Sequence, residues 1–234
     1  MKIVKLYPAE NSKFHFGEFG LESEDYIFHS DSLFSSLVIN YIRKHGNDKL
    51  NEFVNTFPRV SSLFYGIKTE SKEVLFIPSY LGFNFGNLKE DDRKIIKKVK
   101  FVSINSVKNS ANIAKNINSN IIYSKDDGIE NKDFQLFYSD VEQKVCIDRE
   151  TGSALKGGLY NISFIRLSEN VFFYFLVDSD QISEDMRSSI ETIRNFGLGG
   201  KISNGFGQIK EIKIEDFSEF NNLNGNKYVN LSVV

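Results

Sequence analysis

Residues 171–177 read VFFYFLV, an unbroken apolar run, and it limits the possible folds more than any other segment. A membrane-spanning helix needs about 20 apolar residues, so this run is too short to cross a bilayer. Its length suits a buried strand. The flanks agree. Residues 159–167 alternate apolar and polar, and Ser168-Glu169-Asn170 reads as a turn. A helix is expected over 183–195, with Ile182, Met186, Ile190 and Ile193 at helical spacing and Glu184 and Asp185 in its first turn.

The opening KIVKLY alternates and predicts a first strand. A polar stretch over 11–25 follows and carries Phe14-His15-Phe16-Gly17. Leu33, Phe34, Leu37, Val38, Tyr41 and Ile42 then recur as one helical face. Ser30 and Asp31 are the N-cap candidates, Arg43, Lys44 and His45 fill the last turn, and Gly46 suits a left-handed exit. Residues 62–66 and 73–78 predict paired strands around a polar turn. The region 83–158 is rich in Asn and Lys, with a helix expected near 90–99 and a strand near 100–104. Residues 109–120 read as disordered, and 148–158 as an exposed hairpin tip. A strand is expected over 208–214, then a polar linker, and residues 228–234 (YVNLSVV) read as a strand without a partner. Strand, helix, two strands, insertion, strand, helix, strand is the order of a ferredoxin-like or RRM-like α+β unit.

Composition removes several function classes. Cys146 is the only cysteine, so neither an internal disulfide nor a thiolate metal cage can form, and with only Lys144 nearby its thiol is expected to be inert. His15, His29 and His45 are too few for an all-histidine metal cluster, and no metal or other cofactor is expected. The N-terminus has no signal-peptide core, which leaves a soluble cytoplasmic protein as the expectation. Net charge is −2, but Arg93, Lys94, Lys97, Lys98, Lys100, Lys108 and Lys115 follow one another without an acidic residue between them. That stretch is either a phosphate-binding stripe or a solvated helix face followed by a loop.

Residues 196–208 (FGLGGKISNGFGQ) hold five glycines in thirteen positions. The segment fails as a Walker A loop, because Ile202 follows Gly200-Lys201 and Asn195 stands where the first glycine should be. It fails as a dinucleotide fingerprint in spacing and in its helix-to-strand order. Gly197 is accounted for as a helix C-cap. The other four exceed what a turn needs, and missing Cβ atoms let another backbone or a sugar-phosphate chain come close. Lys201, Ser203 and Asn204 add a charge and hydrogen-bonding groups there. The helix start at Ser30-Asp31-Ser32 offers N–H groups suited to phosphate, although Asp31 would repel it unless engaged as the cap.

These three segments, Phe14-His15-Phe16-Gly17, the HSDSLFSSL of residues 29–37 and the GLGGKISNGFGQ of residues 197–208, resemble in order and kind the RAMP proteins of CRISPR effector complexes. Within them the chain is most similar to the family of fourth-numbered Csm subunits of type III-A complexes, which grip the crRNA 5′ tag. The resemblance implies an α+β, ferredoxin-like (RAMP) fold over residues 1–215, with a large insertion at about 83–158. It makes 216–234 a linker and the first strand of a second, incomplete RRM-like half. Members usually continue through that half, so the resemblance makes this chain a short variant or a truncated product.

The implied function is non-catalytic RNA binding in antiviral defence. Implied partners are the crRNA 5′ tag, the guide–target duplex, the large polymerase-like subunit and a neighbouring RAMP backbone subunit, with no membrane. By position, the RNA-binding candidates are His15, Gly17, Ser30, Ser32 and Ser35, with Gly199, Gly200, Lys201, Ser203, Asn204 and Gly205 as a backbone clamp. Lys98, Lys100, Arg149 and Lys156 are candidates for phosphate, Arg149 on a hairpin thumb. Each has a plainer alternative: half-buried histidines, serines that only cap, an arginine on any hairpin. The alternative function is a metal-independent RAMP endoribonuclease with His15 or His29 as general base on a ribose 2′-hydroxyl.

Overall fold

The computed structural model describes residues 1–17, 20–23, 25–80, 82–84, 97–109, 113–116, 120–130, 134–220 and 229–232. The chain runs β1 (Lys2–Pro8), α1 (Ser30–His45), α2 (Leu50–Thr56), β2 (Phe64–Lys68), β3 (Glu73–Pro78), β4 (Phe101–Ser103), α3 (Ile104–Lys108), β5 (Ile113–Asn116) and β6 (Ile121–Ser124). It continues through β7 (Phe137–Ile147), β8 (Ala154–Leu167), β9 (Val171–Val177), α4 (Glu184–Phe196) and β10 (Ile209–Asp216).

The apolar run is β9, paired antiparallel with β1 on one side and β2 on the other. Its side chains divide by parity, as the pleat requires. Val171, Phe173, Phe175 and Val177 pack with Leu33, Leu37, Ile190 and Ile193 of α1 and α4. Phe172, Tyr174 and Leu176 join a second core with Phe64, Val102, Ile104 and Phe217 on the opposite face. The order β10-β1-β9-β2 is that of a ferredoxin-like sheet, with all three pairings antiparallel. β3, β4, β6 and β5 extend it beyond β2, so the insertion lengthens the same sheet.

β7 and β8 form a separate two-stranded sheet, in register from Phe137↔Leu167 to Val145↔Leu159, with an irregularity before the last pair, Ile147↔Ala154. The expected tip is there, its turn closed by Asp148 Oδ1 accepting from Glu150 N at 2.8 Å. β7 was hidden in the polar middle region because Ser139 and Gln143 interrupt the face that holds Phe137, Val141 and Val145.

Several expectations need correction. Neither Ser30 nor Asp31 caps α1. His29 is the N-cap, Ser30 is already helical, and Asp31 Oδ1 accepts from Ser32 N at 2.7 Å. Residues 113–116, expected to be disordered, pair with β6 from Ile113↔Ser124 to Asn116↔Ile121, where backbone hydrogen bonds outweigh a polar composition. The helix near 90–99 falls largely outside the described residues, and Lys97 and Lys98 lie in a turn. The strand expected within 228–234 is absent from its described part, 229–232. There the Leu231 carbonyl accepts from Ser62 N at 2.8 Å and its side chain packs on the second core.

Candidate RNA-binding site

Residues 13–17 are held between β8 and the Gly-rich loop. Phe14 N and O exchange hydrogen bonds with Ile165 at 2.9 and 2.8 Å, Gly200 N donates to His15 O at 2.8 Å, and Gly207 N donates to Lys13 O at 2.7 Å. Phe14 and Phe16 point into the main core, where their rings meet Phe173. With its neighbours pinned inward, His15 is buried, and its Nδ1 sits 2.8 Å from Ser163 O.

The missing Cβ atoms serve this packing. A Cβ on Gly17 would stand 2.5 Å from His15 Nε2, and one on Gly200 would stand 2.9 Å from His15 Cδ2. The His15 ring therefore lies in a cradle that only glycines leave open. Gly199 backs onto Phe16 and Gly207 onto the Leu198 backbone in the same way. Gly205 differs. It has open space around its Cβ position but φ +84°, and it stands with Ser203 and Asn204 on an exposed tip. Lys201, half-buried at φ +58°, leads into the short 3-10 turn Ile202–Asn204.

Two adjoining clefts open where this loop meets the start of α1. The first, about 320 Å³, is lined by His15, Gly17 and Gly200 together with Asp25, His29, Asp31 and Ser32. The second, about 340 Å³, shares Phe28, Asp31 and Ser32 and continues past Ser35, Gly199 and Ile202 to Arg43. Arg43 is set by a hydrogen bond to Asn40 Oδ1 at 3.2 Å and lies 4.4 Å from the Phe196 ring centroid. His29 Nε2 pairs with Asp25 Oδ2 at 3.0 Å, and Asp25 Oδ1 accepts from Ile27 N at 3.0 Å. The segment 25–29 is anchored by the Tyr65 hydroxyl donating to the Tyr26 carbonyl. Burial, reinforced by the Asp25 charge, pushes the Tyr26 phenol above its ordinary range.

The fold thus gathers His15, Gly17, Ser32, Ser35, Gly199 and Gly200 around the clefts, with Lys201, Ser203, Asn204 and Gly205 beside them. Ser30 is not on the lining. It is buried, and its N–H donates to Ser62 Oγ at 3.1 Å. Lys98 and Lys100 also lie off the lining, Lys98 exposed in a turn and Lys100 with its Nζ 4.1 Å from the Tyr26 ring centroid. Arg149 and Lys156 stand exposed at the distal end of the hairpin. Lys108 is paired with Glu219, so the stretch without acids in sequence meets one in space. Arg43 and Asp25 were missed, since Arg43 read as an ordinary last-turn cation and Asp25 as loop. Among the described residues no group of three or more His, Cys, Asp or Glu is placed to hold a metal, and no helix is long and apolar enough to cross a membrane.

The RAMP superfamily profile matches residues 12–210, from the His15 loop through the Gly-rich loop into β10. The chain belongs to the RAMP superfamily. It is 37% identical to the CRISPR system Cms protein Csm4 of Methanocaldococcus jannaschii, over 99% of this chain and 72% of that protein. It is 24% identical to the protein of the same name from Streptococcus thermophilus, over 88% of this chain and 62% of that one. The chain therefore spans under two thirds of the second relative's length. Among solved structures, a chain of the Csm3-Csm4 subcomplex of the type III-A CRISPR-Cas interference complex matches with TM-score 0.68 and 33% identity, covering 94% of this chain and 71% of that one. A chain of a Csm1-Csm4 cassette in complex with AMPPNP matches with TM-score 0.51 at 16% identity, which shows the shared fold. As a RAMP family member the protein is a relative of the Csm4 subunits of type III-A CRISPR complexes.

Proposed function

We propose that the protein is a non-catalytic, cytoplasmic RNA-binding subunit of a type III-A interference complex, with residues 1–215 as the RNA-binding unit. In this reading it holds the crRNA 5′ tag and docks the large polymerase-like subunit and a neighbouring RAMP backbone subunit. The β7–β8 hairpin reaches the guide–target duplex. The observation that carries the reading is the convergence of the His15 loop, the start of α1 and the Gly-rich loop around two open clefts, beside the exposed tip at Ser203–Asn204–Gly205. The named partners of similar proteins, Csm3 and Csm1, agree with it.

Comparing Gly205→Val with Lys201→Ala tests this. Valine at φ +84° is strained, and its branched side chain occupies space that a ribose-phosphate would need. Gly205→Val is expected to lose crRNA in a pull-down of the assembled complex while circular dichroism shows a folded chain. Lys201→Ala is expected to retain crRNA but lower the slope of log affinity against log salt by about one. A crRNA-loaded complex at wild-type yield with Gly205→Val sinks the clamp.

The geometry also keeps an endoribonuclease in view, because His15 and the Asp25-paired His29 line one cleft. Purified chain that processes precursor crRNA in EDTA, with loss of processing in His15→Ala or His29→Ala, would favour that second reading.

A further inference from the structure

His15 is only 7% exposed, yet one of its ring nitrogens is unpartnered among the described residues. Nδ1 faces the Ser163 carbonyl, which can only accept, so Nδ1 carries the hydrogen. In the neutral ring Nε2 is then a bare acceptor. It lies over Gly17 on the wall of the first cleft. The remaining polar wall is also acceptor-rich. Asp25 takes Ile27 N and His29 Nε2, and Asp31 Oδ1 takes Ser32 N. No lysine or arginine is on the lining among the described residues. A phosphate entering here would meet two carboxylates and a lone pair, whereas an O–H or N–H would meet what it needs.

We propose that the first cleft receives a hydrogen-bond donor of the RNA, a ribose 2′-hydroxyl or a base amino group, at His15 Nε2. Phosphate falls to the second cleft, which shares Asp31 but lacks Asp25 and adds the Arg43 cation. This rests on the RNA-binding reading and makes His15 a selectivity residue. If the donor is the 2′-hydroxyl, the contact distinguishes RNA from DNA.

The test is His15→Asn, whose side-chain amide can still donate to the Ser163 carbonyl but has nothing in place of Nε2. Wild-type and variant chains are titrated with a mixed-sequence RNA, with the same sequence lacking 2′-hydroxyls, and with an RNA whose bases lack their amino groups (inosine for guanosine, purine riboside for adenosine, 2-pyrimidinone riboside for cytidine). Thermal unfolding confirms the variant's fold. The variant is expected to bind unmodified RNA about ten-fold more weakly, the worth of one hydrogen bond to a buried group. One of the two altered RNAs should bind wild type with the same deficit and lose nothing more in the variant, which assigns the hydroxyl or the amine. Equal binding of unmodified RNA by both chains overturns the inference, as does wild-type binding that ignores both alterations. A wild-type chain that binds none of the three instead overturns the RNA-binding reading beneath it.

Discussion

At the residue scale, close approach explains positions that side-chain chemistry leaves blank. Gly66 of β2 lies under the fully buried ring of Phe172, and a Cβ there would stand 2.6 Å from Phe172 Cε2. The ring is also hemmed in by Tyr7, 5.0 Å away between centroids. Gly66→Ala is therefore expected to destabilise the protein by about 1–3 kcal/mol through overpacking, read as a lower urea midpoint with unchanged slope. An unchanged midpoint would mean the ring has room to move. The same reasoning separates the glycines of the Gly-rich loop. Gly199, Gly200 and Gly207 face this chain's own residues, while Gly205 alone of the four faces open space. From sequence all four looked equivalent, because the atom each would strike comes from a segment far away in the chain.

At the scale of elements, the β7–β8 hairpin departs from ordinary burial. Val145 and Leu159 are direct cross-strand partners, and Leu159 is 64% exposed. Val141, on the same face, is 58% exposed. These exposed apolar side chains lie outside the core and suit the contact proposed for the hairpin. The double variant Val145→Ser, Leu159→Ser is expected to change folding stability by no more than about 0.5 kcal/mol, since little packing is lost. Complexes carrying it should capture target RNA less well. Unfolding that shifts by several degrees would place these side chains in the fold's own stability instead.

At the scale of the whole molecule, the second sheet face ends in a polar cluster joining three strands. Lys5 of β1 is 8% exposed and reaches Glu73 Oε2 of β3 at 2.6 Å and Glu215 Oε2 of β10 at 2.5 Å. Tyr7 donates to Glu73 Oε1 at 2.9 Å. Burial pushes the Glu73 carboxyl up, but hydrogen bonds from Lys5 and Tyr7 and the charges of Lys5 and Lys213 outweigh it and leave the group below its ordinary range. A depressed carboxyl stabilises the fold at pH above its unfolded value, and that contribution fades as pH falls through the folded one. Lys5→Met leaves Glu73 without its hydrogen-bonded cation and with only the Lys213 charge, a costly change near neutral pH. The stability gap between wild type and Lys5→Met should therefore narrow as unfolding is measured at progressively lower pH through the carboxylate range. A gap independent of pH would show that Lys5 acts by packing alone.

The sequence by itself determined the elements whose burial is regular. The run 171–177, the helix faces at Leu33–Leu37 and Ile190–Ile193, and the order β1-α1-β2-β3-β9-α4-β10 of the ferredoxin-like unit were readable, because periodicity records which face is buried, whereas α2, α3 and β6 were not. The Gly-rich loop and the Phe14-His15-Phe16-Gly17 segment stood out as composition, and with the start of α1 they carried the family. Tertiary structure alone decided what those segments do to one another. It buried Ser30, paired Lys108 with Glu219, set the Gly-rich loop at Gly199 and Ile202 against the Ser35–Arg43 face of α1, and laid His15 against Ser163 and two glycines. It also built β5 and β7 from stretches with no continuous apolar rhythm. Those outcomes depend on contacts between distant segments, and neither local propensity nor spacing along the chain encodes which distant backbone will arrive.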